Sequence, residues 1–217
     1  MKITHLQIDG YKNLEIEMEH LSDSIAIIGN NGSGKSNLLE ALSLIFKSLY
    51  KKGESVPFDY LIEYVNSKND SIKIEKKKSQ INYFKDGETL ISYEDYLPKK
   101  VVAIYSGEEN RLWKKCYETV YNQFISNINK AQVEKTGYIL SPKMLYLNKL
   151  YWHISLLSIA ISDSEDNNNF LKQTLGINSI DKIKFDFDKK SYKNYSNSPT
   201  LDFFRNIEKN RNIIFPN

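Results

Sequence analysis

Apolar and polar residues follow a strand-like pattern at the start of the chain. Residues 2–9 and 14–18 predict two strands, and the polar residues 10–13 predict the turn between them. The apolar positions in these strands are Ile3, Leu6, Ile8, Ile16 and Met18. The chain is therefore expected to open with an antiparallel hairpin.

A longer apolar run and a helical pattern come next. Residues 24–28, Ser-Ile-Ala-Ile-Ile, have the length and the branched side chains of a strand buried on both faces. Beyond them, apolar residues recur at helical spacing at Leu38, Leu39, Leu42, Ile45, Phe46 and Leu49. Lys51, Lys52 and Gly53 supply the cations and the glycine that a helix C-terminus favours. We therefore expect a buried strand followed directly by a helix.

An antiparallel meander is predicted after this helix. Apolar residues alternate at Tyr60, Ile62 and Tyr64, at Ile72 and Ile74, and at Ile81 and Tyr83. The pair Asp86-Gly87 is a strong hairpin signal. We expect the meander to lie beside the strand at 24–28. The lysine run 76–78 falls within it, and we interpret this run as a solvated strand edge, with a DNA contact as the alternative.

The second half of the chain mixes helices and strands. Residues 101–105 predict a second buried strand, 109–129 a helix, and 144–161 an apolar helix or a strand followed by a helix. The apolar stripe of the 109–129 helix is Trp113, Cys116, Tyr117, Val120, Phe124 and Ile128, which we interpret as core rather than as a base-stacking platform. His153 is interpreted as a hydrogen-bonded core residue rather than a ligand. The remaining predictions are an exposed loop over 163–169, a strand over 177–188, a linker over 194–199 and a helix over 201–207.

The junction between the predicted strand and helix carries a phosphate-binding motif. Gly29-Asn30-Asn31-Gly32-Ser33-Gly34-Lys35-Ser36 matches the Walker A pattern G-x-x-x-x-G-K-[ST] at every defined position, and Asn37 follows it. The glycines let successive N–H groups point at a polyphosphate, and the helix N-terminus adds its partial positive charge. Lys35 would reach the terminal phosphates, and the Ser36 hydroxyl would supply one ligand to a bridging magnesium ion. A chance match in a glycine-rich turn is the alternative, against which the flanking strand and helix argue.

Two stretches of the sequence resemble the opening of SMC/RecF-type ABC ATPases. They are Ile8-Asp9-Gly10-Tyr11-Lys12-Asn13-Leu14 and residues 27–42, which contain the loop and its continuation Asn-Leu-Leu-Glu-Ala-Leu. This group includes chromosome-structure proteins, RecF-like repair proteins, OLD-type nucleases and many bacterial defence ATPases. Transporter ATPases more often follow the lysine with Ser/Thr-Thr, so Asn37 favours the SMC/RecF group. The resemblance covers about the first fifty residues.

The resemblance implies an α/β fold of the P-loop NTPase class: an ABC/SMC-like head with an antiparallel β-subdomain and a helical region. We place the P-loop ATPase N-terminal lobe and its β-subdomain in residues 1–108, and the helical region with a mixed α/β tail in 109–217. ATP and Mg2+ are the implied cofactors, held by residues 29–37, with Ser36 on the metal. Two ATP molecules would lie between two P-loop domains, which implies a homodimer or an SMC-like assembly. DNA and a nuclease or effector protein are the implied partners.

Several catalytic elements of that family are not recognisable in the sequence. Family members carry a Gln after the strand that corresponds to 101–105; Ser106 or Glu108 would have to replace it, although Ser106 and Glu109 fit a helix capping box better. There is no Leu-Ser-Gly-Gly signature and no apolar strand that ends in Asp-Glu. The nearest candidate, Phe185-Asp186-Phe187-Asp188, is followed by Lys189, and we reject it. We therefore expect the N-terminal portion of a longer ATPase, or a degenerate member, whose hydrolysis requires dimerisation and the missing C-terminal elements.

Composition narrows the picture only slightly. The 217 residues are 41% hydrophobic and 26% charged, as in folded soluble proteins, and the net charge of +3 permits nucleic-acid contact without arguing for it. The single cysteine, Cys116, cannot form an internal disulfide, and we interpret it as a buried structural thiol rather than a nucleophile. No secretory signal is visible, and the longest apolar stretch, around 151–161, is too short to span a bilayer. We expect a cytoplasmic protein without a membrane partner.

Four functions are weighed on these grounds. The leading one is ATP binding by an SMC/RecF-like ATPase that acts on DNA, in repair or in antiviral, restriction-type defence. The second is a non-hydrolysing switch or scaffold in which ATP promotes dimerisation. The third, less favoured, is the energy subunit of a transporter. A small-molecule kinase is the least favoured, because the meander after the first helix is not expected in that fold.

Overall fold

The computed structural model describes residues 1–51, 53–105, 110–134, 142–162 and 164–180. Among these, one compact unit contains residues 1–51, 53–103, 110–121 and 142–146, and a second contains the other described residues. The capping box predicted at Ser106 and Glu109 and all predictions for residues 181–217 lie outside the described residues. In the part of the chain that is described, no helix is long and apolar enough to cross a membrane.

An antiparallel sheet of six strands dominates the first unit, in the spatial order β2-β1-β3-β4-β5-β6. The strands are β1 Lys2–Tyr11, β2 Leu14–Met18, β3 Asp59–Val65, β4 Ser71–Lys77, β5 Gln80–Lys85 and β6 Glu88–Thr89. The predicted opening hairpin and the predicted meander are both confirmed. Asp86 and Gly87 both adopt a positive φ between β5 and β6, as the hairpin signal predicts.

The first helix packs its apolar side against the core of this unit. Helix α1, Lys35–Tyr50, confirms the predicted helix, and it buries Ile45 and Phe46 in one cluster with alternate residues of β1 and β3. The strand residues of this cluster include Leu6, Ile8, Tyr60, Ile62 and Tyr64. Each fully buried side chain of this size stabilises the fold by about 2 kcal/mol. The core thus lies between an antiparallel sheet and the helix that follows the phosphate motif.

Residues 24–28 are not a strand, so the buried strand predicted there is wrong. They follow an irregular path in which Ile25 is 43%, Ile27 42% and Ile28 94% exposed. A strand that is apolar on both faces needs hydrogen-bonded neighbours and a covering layer on each side, and no described strand pairs with this segment. The meander also lies elsewhere than predicted, because β3 pairs with β1.

The lysine run does not form a sheet edge, because β4 lies between β3 and β5. The Lys76 side chain is only 4% exposed; its Nζ donates to the carbonyl oxygen of Phe58 at 3.0 Å and lies 3.7 Å from Asp59 Oδ1. Lys77 and Lys78 are exposed. The interpretation as a solvated edge is therefore wrong for Lys76, whose buried ammonium is satisfied by protein oxygens.

The helix predicted over 109–129 is present in its described part, with an unexpected start. Trp113–Tyr117 forms a π-helical turn that continues directly into α2, Glu118–Glu134. Cys116 and Tyr117 are buried, which confirms the core interpretation for these two positions. Cys116 is a buried free thiol, as expected, and burial raises its pKa to about 12, which disfavours the reactive thiolate.

A small sheet and a helix follow the predicted order in the middle of the chain. Strands β7, Val101–Tyr105, and β8, Met144–Asn148, pair with each other, and α3, Trp152–Ala160, follows β8. The strand-then-helix alternative for 144–161 is therefore confirmed. The expected burial of β7 is wrong, because Val102 is 48% and Ile104 79% exposed.

Two further predictions in the second unit are wrong, and a third is wrong in its described part. Helix α4, Glu165–Leu175, occupies most of the predicted loop at 163–169. Its N-cap is Ser164, whose Oγ accepts a hydrogen bond from the Asn167 N–H at 3.3 Å. His153 is exposed and is not a core residue. Residues 177–180, the described start of a predicted strand, are in no strand.

Candidate functional site

The phosphate motif forms an exposed turn that leads into α1. The Ser33 N–H donates to the carbonyl oxygen of Asn30 at 3.2 Å, and Gly32 and Gly34 adopt positive φ angles of 85° and 97°. Gly29, Asn30, Asn31, Gly32 and Ser33 are exposed, as is Ser36 on the first turn of the helix. The turn is therefore open to a ligand from solvent.

Gly34 joins the turn to the helix at a position where a larger residue would be strained. A Cβ atom there would lie 3.1 Å from Leu14 Cδ2, in a backbone conformation that side chains disfavour. The first helical hydrogen bond runs from the Leu38 N–H to the Gly34 carbonyl at 2.9 Å, and no side chain caps the helix. The N–H groups of Lys35, Ser36 and Asn37 precede that bond, so they have no acceptor within the helix. Three amides at the positive end of α1 are thus available to an anion.

The Lys35 side chain folds back over the turn. Its Nζ donates to the carbonyl oxygens of Gly29 and Asn30, the latter at 2.7 Å. These contacts hold the ammonium group on the loop itself. A phosphate at the same place would offer charged acceptors instead of carbonyl oxygens, and charge-assisted hydrogen bonds are the stronger kind.

The turn between β1 and β2 braces the loop from the side. Asn13 Oδ1 accepts a hydrogen bond from Asn37 Nδ2 at 2.6 Å, and Asn13 Nδ2 lies 3.5 Å from the Gly32 carbonyl oxygen. Lys12, which adopts a positive φ of 54°, donates to Asn37 Oδ1 at 3.2 Å. The Asn37 side chain therefore fixes the first turn of α1 to the hairpin.

Glu40 lies one turn further along α1, almost completely buried and surrounded by cations. Its side chain is 1% exposed; Lys12 Nζ lies 2.7 Å and Arg111 Nε 3.1 Å from Oε2, and Lys115 Nζ lies 2.8 Å from Oε1. Burial alone would raise the pKa of this carboxyl, but the hydrogen bonds from Lys115 and Lys12 prevail and lower it to about 2. Burial and the Glu40 charge raise the pKa of the neighbouring Tyr11. Glu40 is therefore ionised at neutral pH, and it joins the β1–β2 turn to the π-helical turn.

A basic groove lies where the π-helical turn begins. Asn110, Arg111, Lys114 and Lys115 line it, and all four are exposed. Arg111 also donates to Asn37 Oδ1 at 3.3 Å, so the groove is linked to the first turn of α1. Arg111, Lys114 and Lys115 give this surface a positive charge, and Glu40 offsets part of it through its pairs with Arg111 and Lys115.

Comparison with known protein families agrees with this geometry. A family model described as AAA ATPase domain matches residues 1–214. The chain belongs to this family. An AAA ATPase domain has the P-loop NTPase α/β fold and uses a nucleotide, typically with Mg2+. No curated protein is similar enough to the chain to count as a relative.

The described residues of this AAA ATPase domain fit a magnesium nucleotide. Free amides, a lysine ammonium and an exposed serine hydroxyl are the groups that such a ligand requires, and the turn brings Gly29 to Ser36 together. Asn37 lies beside them, but its side chain binds Asn13, Lys12 and Arg111.

Sequence reasoning missed the residues that support the loop of this AAA ATPase domain. Lys12 and Asn13 lay within the hairpin motif, and Glu40 within the continuation after the loop, so the signal was present without a role attached to it. Arg111 and Lys115 carried no signal, because their partner Glu40 is more than seventy positions away in sequence.

Proposed function

We propose that the loop Gly29–Ser36 holds the phosphates of ATP, with Mg2+ on the Ser36 hydroxyl, in an SMC/RecF/OLD-like ATPase that acts on DNA. The observation that carries the proposal is the group of free amides at Lys35, Ser36 and Asn37 beneath the exposed turn. In the bound state, Lys35 exchanges the carbonyl oxygens of Gly29 and Asn30 for phosphate oxygens. The negative charge of the phosphates complements the free amides and the Lys35 ammonium.

The DNA part of the proposal is supported by the basic groove and by the motif resemblance. Arg111, Lys114 and Lys115 present cations on one exposed surface, and phosphate contacts from such residues supply most sequence-independent DNA affinity. The Asn-Asn-Gly-Ser-Gly-Lys-Ser loop supports an SMC/RecF-like relationship, in DNA repair or antiviral defence. The same relationship supports a homodimer closed by ATP, with a nuclease or effector as a further partner.

A second candidate is a switch that binds ATP and dimerises without turnover. The sequence favours it in one respect, since it contains no Leu-Ser-Gly-Gly signature and no apolar strand ending in Asp-Glu. Without such a carboxylate, nothing recognisable positions the attacking water. ATP would then act through the contacts it makes rather than through its hydrolysis.

Replacement of Lys35 tests the nucleotide site. Lys35→Ala should abolish MgATP binding in isothermal titration, because it removes the only side-chain cation that lies on the turn in the described structure. The matched control is Lys51→Ala, which removes a lysine at the far end of α1 that pairs with Glu54 at 2.5 Å. Unchanged affinity in Lys35→Ala, with an intact circular dichroism spectrum, would contradict the proposal.

Turnover separates the two candidate functions. Phosphate release by the wild-type chain, measured with and without double-stranded DNA, should depend on DNA if the DNA-linked ATPase is correct. ATP-dependent dimerisation in analytical ultracentrifugation with no phosphate release favours the switch. ATP binding that changes neither DNA affinity nor oligomeric state rejects both.

A further inference from the structure

A histidine and two glutamates meet on the solvent-facing side of the β1–β2 hairpin. His5 lies on β1, Glu17 on β2 and Glu19 directly after it, and the register pairs Gln7 with Glu17. His5 Nε2 is 3.4 Å from Glu17 Oε1 and 3.8 Å from Glu19 Oε1. One ligand atom from each of the three residues lies within 4.8 Å of the others. The pairing of β1 with β2 brings these three side chains together. None of them belongs to the phosphate motif.

The imidazole nitrogen at the centre of the cluster has no hydrogen-bond partner among the described residues. The His5 side chain is 17% exposed, its Nε2 is buried, and both carboxylate oxygens lie beyond the 2.7–3.2 Å range of a normal hydrogen bond. A buried polar nitrogen without a partner destabilises a fold, so a ligand that satisfies it is favoured. The carboxylates of Glu17 and Glu19 are both more than half exposed, so they are free to adjust around a ligand.

These spacings match two ligand atoms on one metal ion. Ligand atoms about 2.1 Å from a tetrahedral Zn2+ are separated from each other by about 3.4 Å. The His5–Glu17 distance has this value. The His5–Glu19 distance of 3.8 Å is longer, and a small rotation of the exposed Glu19 side chain would shorten it. The His5–Glu17 spacing is therefore one that a shared metal ion produces.

The donor set indicates the kind of metal. One imidazole and two carboxylates suit Zn2+ and similar first-row ions, whereas Mg2+ and Ca2+ prefer oxygen ligands alone. Glu63, the cross-strand neighbour of His5 on β3, does not join the set, because it lies 3.5 Å from Lys73 Nζ. Three protein ligands leave a fourth position for water or for a ligand from another molecule.

We propose that His5, Glu17 and Glu19 bind a divalent transition-metal ion of the zinc class. The ion would tie β1 to the segment that leaves β2 and leads into the phosphate turn. The only described backbone hydrogen bond between these parts beyond the hairpin is from the Leu21 N–H to the Thr4 carbonyl oxygen at 3.1 Å, so the metal would add a second connection close to it. The site is independent of nucleotide binding and takes a different ion from the magnesium nucleotide.

Metal titration of the chelator-treated protein tests this site. Zn2+ should bind at one ion per chain with a Kd at or below the micromolar range, and Co2+ should give the visible absorption bands of a tetrahedral site. His5→Gln and Glu17→Gln should each weaken Zn2+ binding at least tenfold. Zn2+ should also raise the Tm of the wild type and leave that of His5→Gln unchanged. A hundredfold excess of Mg2+ should not compete.

Two control variants make the result specific. Glu15→Gln removes an exposed carboxylate of the same strand, and His153→Gln removes an exposed histidine of the second unit; both should retain wild-type Zn2+ affinity. Glu17→Gln changes an exposed side chain, so its fold should be intact even if His5→Gln destabilises the hairpin. Failure to bind Zn2+ would overturn the proposal. If the control variants lost as much Zn2+ affinity as the site variants, or if both site variants kept wild-type affinity, the binding would be adventitious and the proposal would be overturned.

Discussion

Glu40 is contacted by basic side chains from the two segments that flank the phosphate loop. A carboxylate that is 1% exposed would be costly in an apolar interior, but three cations reach it from two separate segments. Lys12, Arg111 and Lys115 are themselves partly exposed, so their desolvation cost is small while that of Glu40 is offset. One buried charge thereby fixes both the turn before the loop and the helix that carries the basic groove.

Glu40→Gln should destabilise the protein in a pH-dependent way. At pH 7 the loss should be about 2 kcal/mol in urea unfolding, because three cations lose a charged partner. The pKa of Glu40 is lowered from 4.5 to about 2 in the folded state. The carboxylate therefore stabilises the folded state fully when the pH is above the unfolded-state pKa of 4.5. That contribution is lost as the pH falls from about 5 to about 2, and the two proteins should then converge in stability.

Glu54 provides the matched control for this prediction. It also faces two lysines, with Lys51 Nζ at 2.5 Å and Lys47 Nζ at 3.8 Å, but its side chain is 32% exposed. Solvent screens such pairs, so Glu54→Gln should cost less than about 1 kcal/mol. Equal losses in the two variants, or a difference for Glu40→Gln that persists at pH 2, would show that burial of Glu40 does not control its energetics.

At the scale of elements, the π-helical turn is what attaches the second half of the first unit to α1. The Tyr117 hydroxyl is 3.0 Å from Ser43 Oγ, and the Lys47 Nζ donates to the Lys115 carbonyl oxygen at 3.2 Å. A π-helical turn widens the helix by one residue per turn, which brings Cys116 and Tyr117 onto the side that faces α1. The turn therefore sets which residues of this segment reach Glu40.

Tyr117→Phe should measure the strength of that attachment. It removes one buried hydroxyl while Ser43 keeps its bond to the Leu39 carbonyl oxygen at 2.8 Å, so the expected loss is about 1 kcal/mol in thermal unfolding. Tyr121→Phe, on the same helix with an exposed ring, should be neutral. A loss for Tyr117→Phe no larger than that for Tyr121→Phe would indicate that the hydrogen bond contributes nothing to docking.

The same scale shows how far sequence reasoning reaches. The opening hairpin, α1 and the meander follow from local periodicity, because each buries one face and exposes the other. Lys76 was misassigned because its burial depends on carbonyl oxygens at Phe58 and Lys78, which periodicity does not register. Helix α4 was missed because its polar composition suggested a loop, although Ser164 is a normal N-cap with acidic residues after it.

At the scale of the whole molecule, the position of the core was the main error. The pattern at 24–28 predicts a strand buried on both faces, because branched apolar residues usually indicate burial. Burial of such a run depends on strands from distant parts of a chain, and no local pattern shows whether they are there. The phosphate turn itself was predictable, because its conformation depends on its own glycines and on the helix that follows.

Two alanine substitutions in isoleucines distinguish these two views of the core. Ile28 is 94% exposed, so Ile28→Ala should change the free energy of unfolding by no more than about 0.5 kcal/mol. Ile62 is completely buried on β3, in the cluster that α1 covers, so Ile62→Ala should cost about 3 kcal/mol. Both variants carry the same Ile→Ala change, so denaturant unfolding compares their free energies of unfolding directly.

A cost of several kcal/mol at Ile28 would mean that 24–28 is buried in solution, and the core would then include the strand expected from the sequence. A small cost would leave the sheet and α1 as the core, with the phosphate turn held by Asn13 rather than by a strand before it.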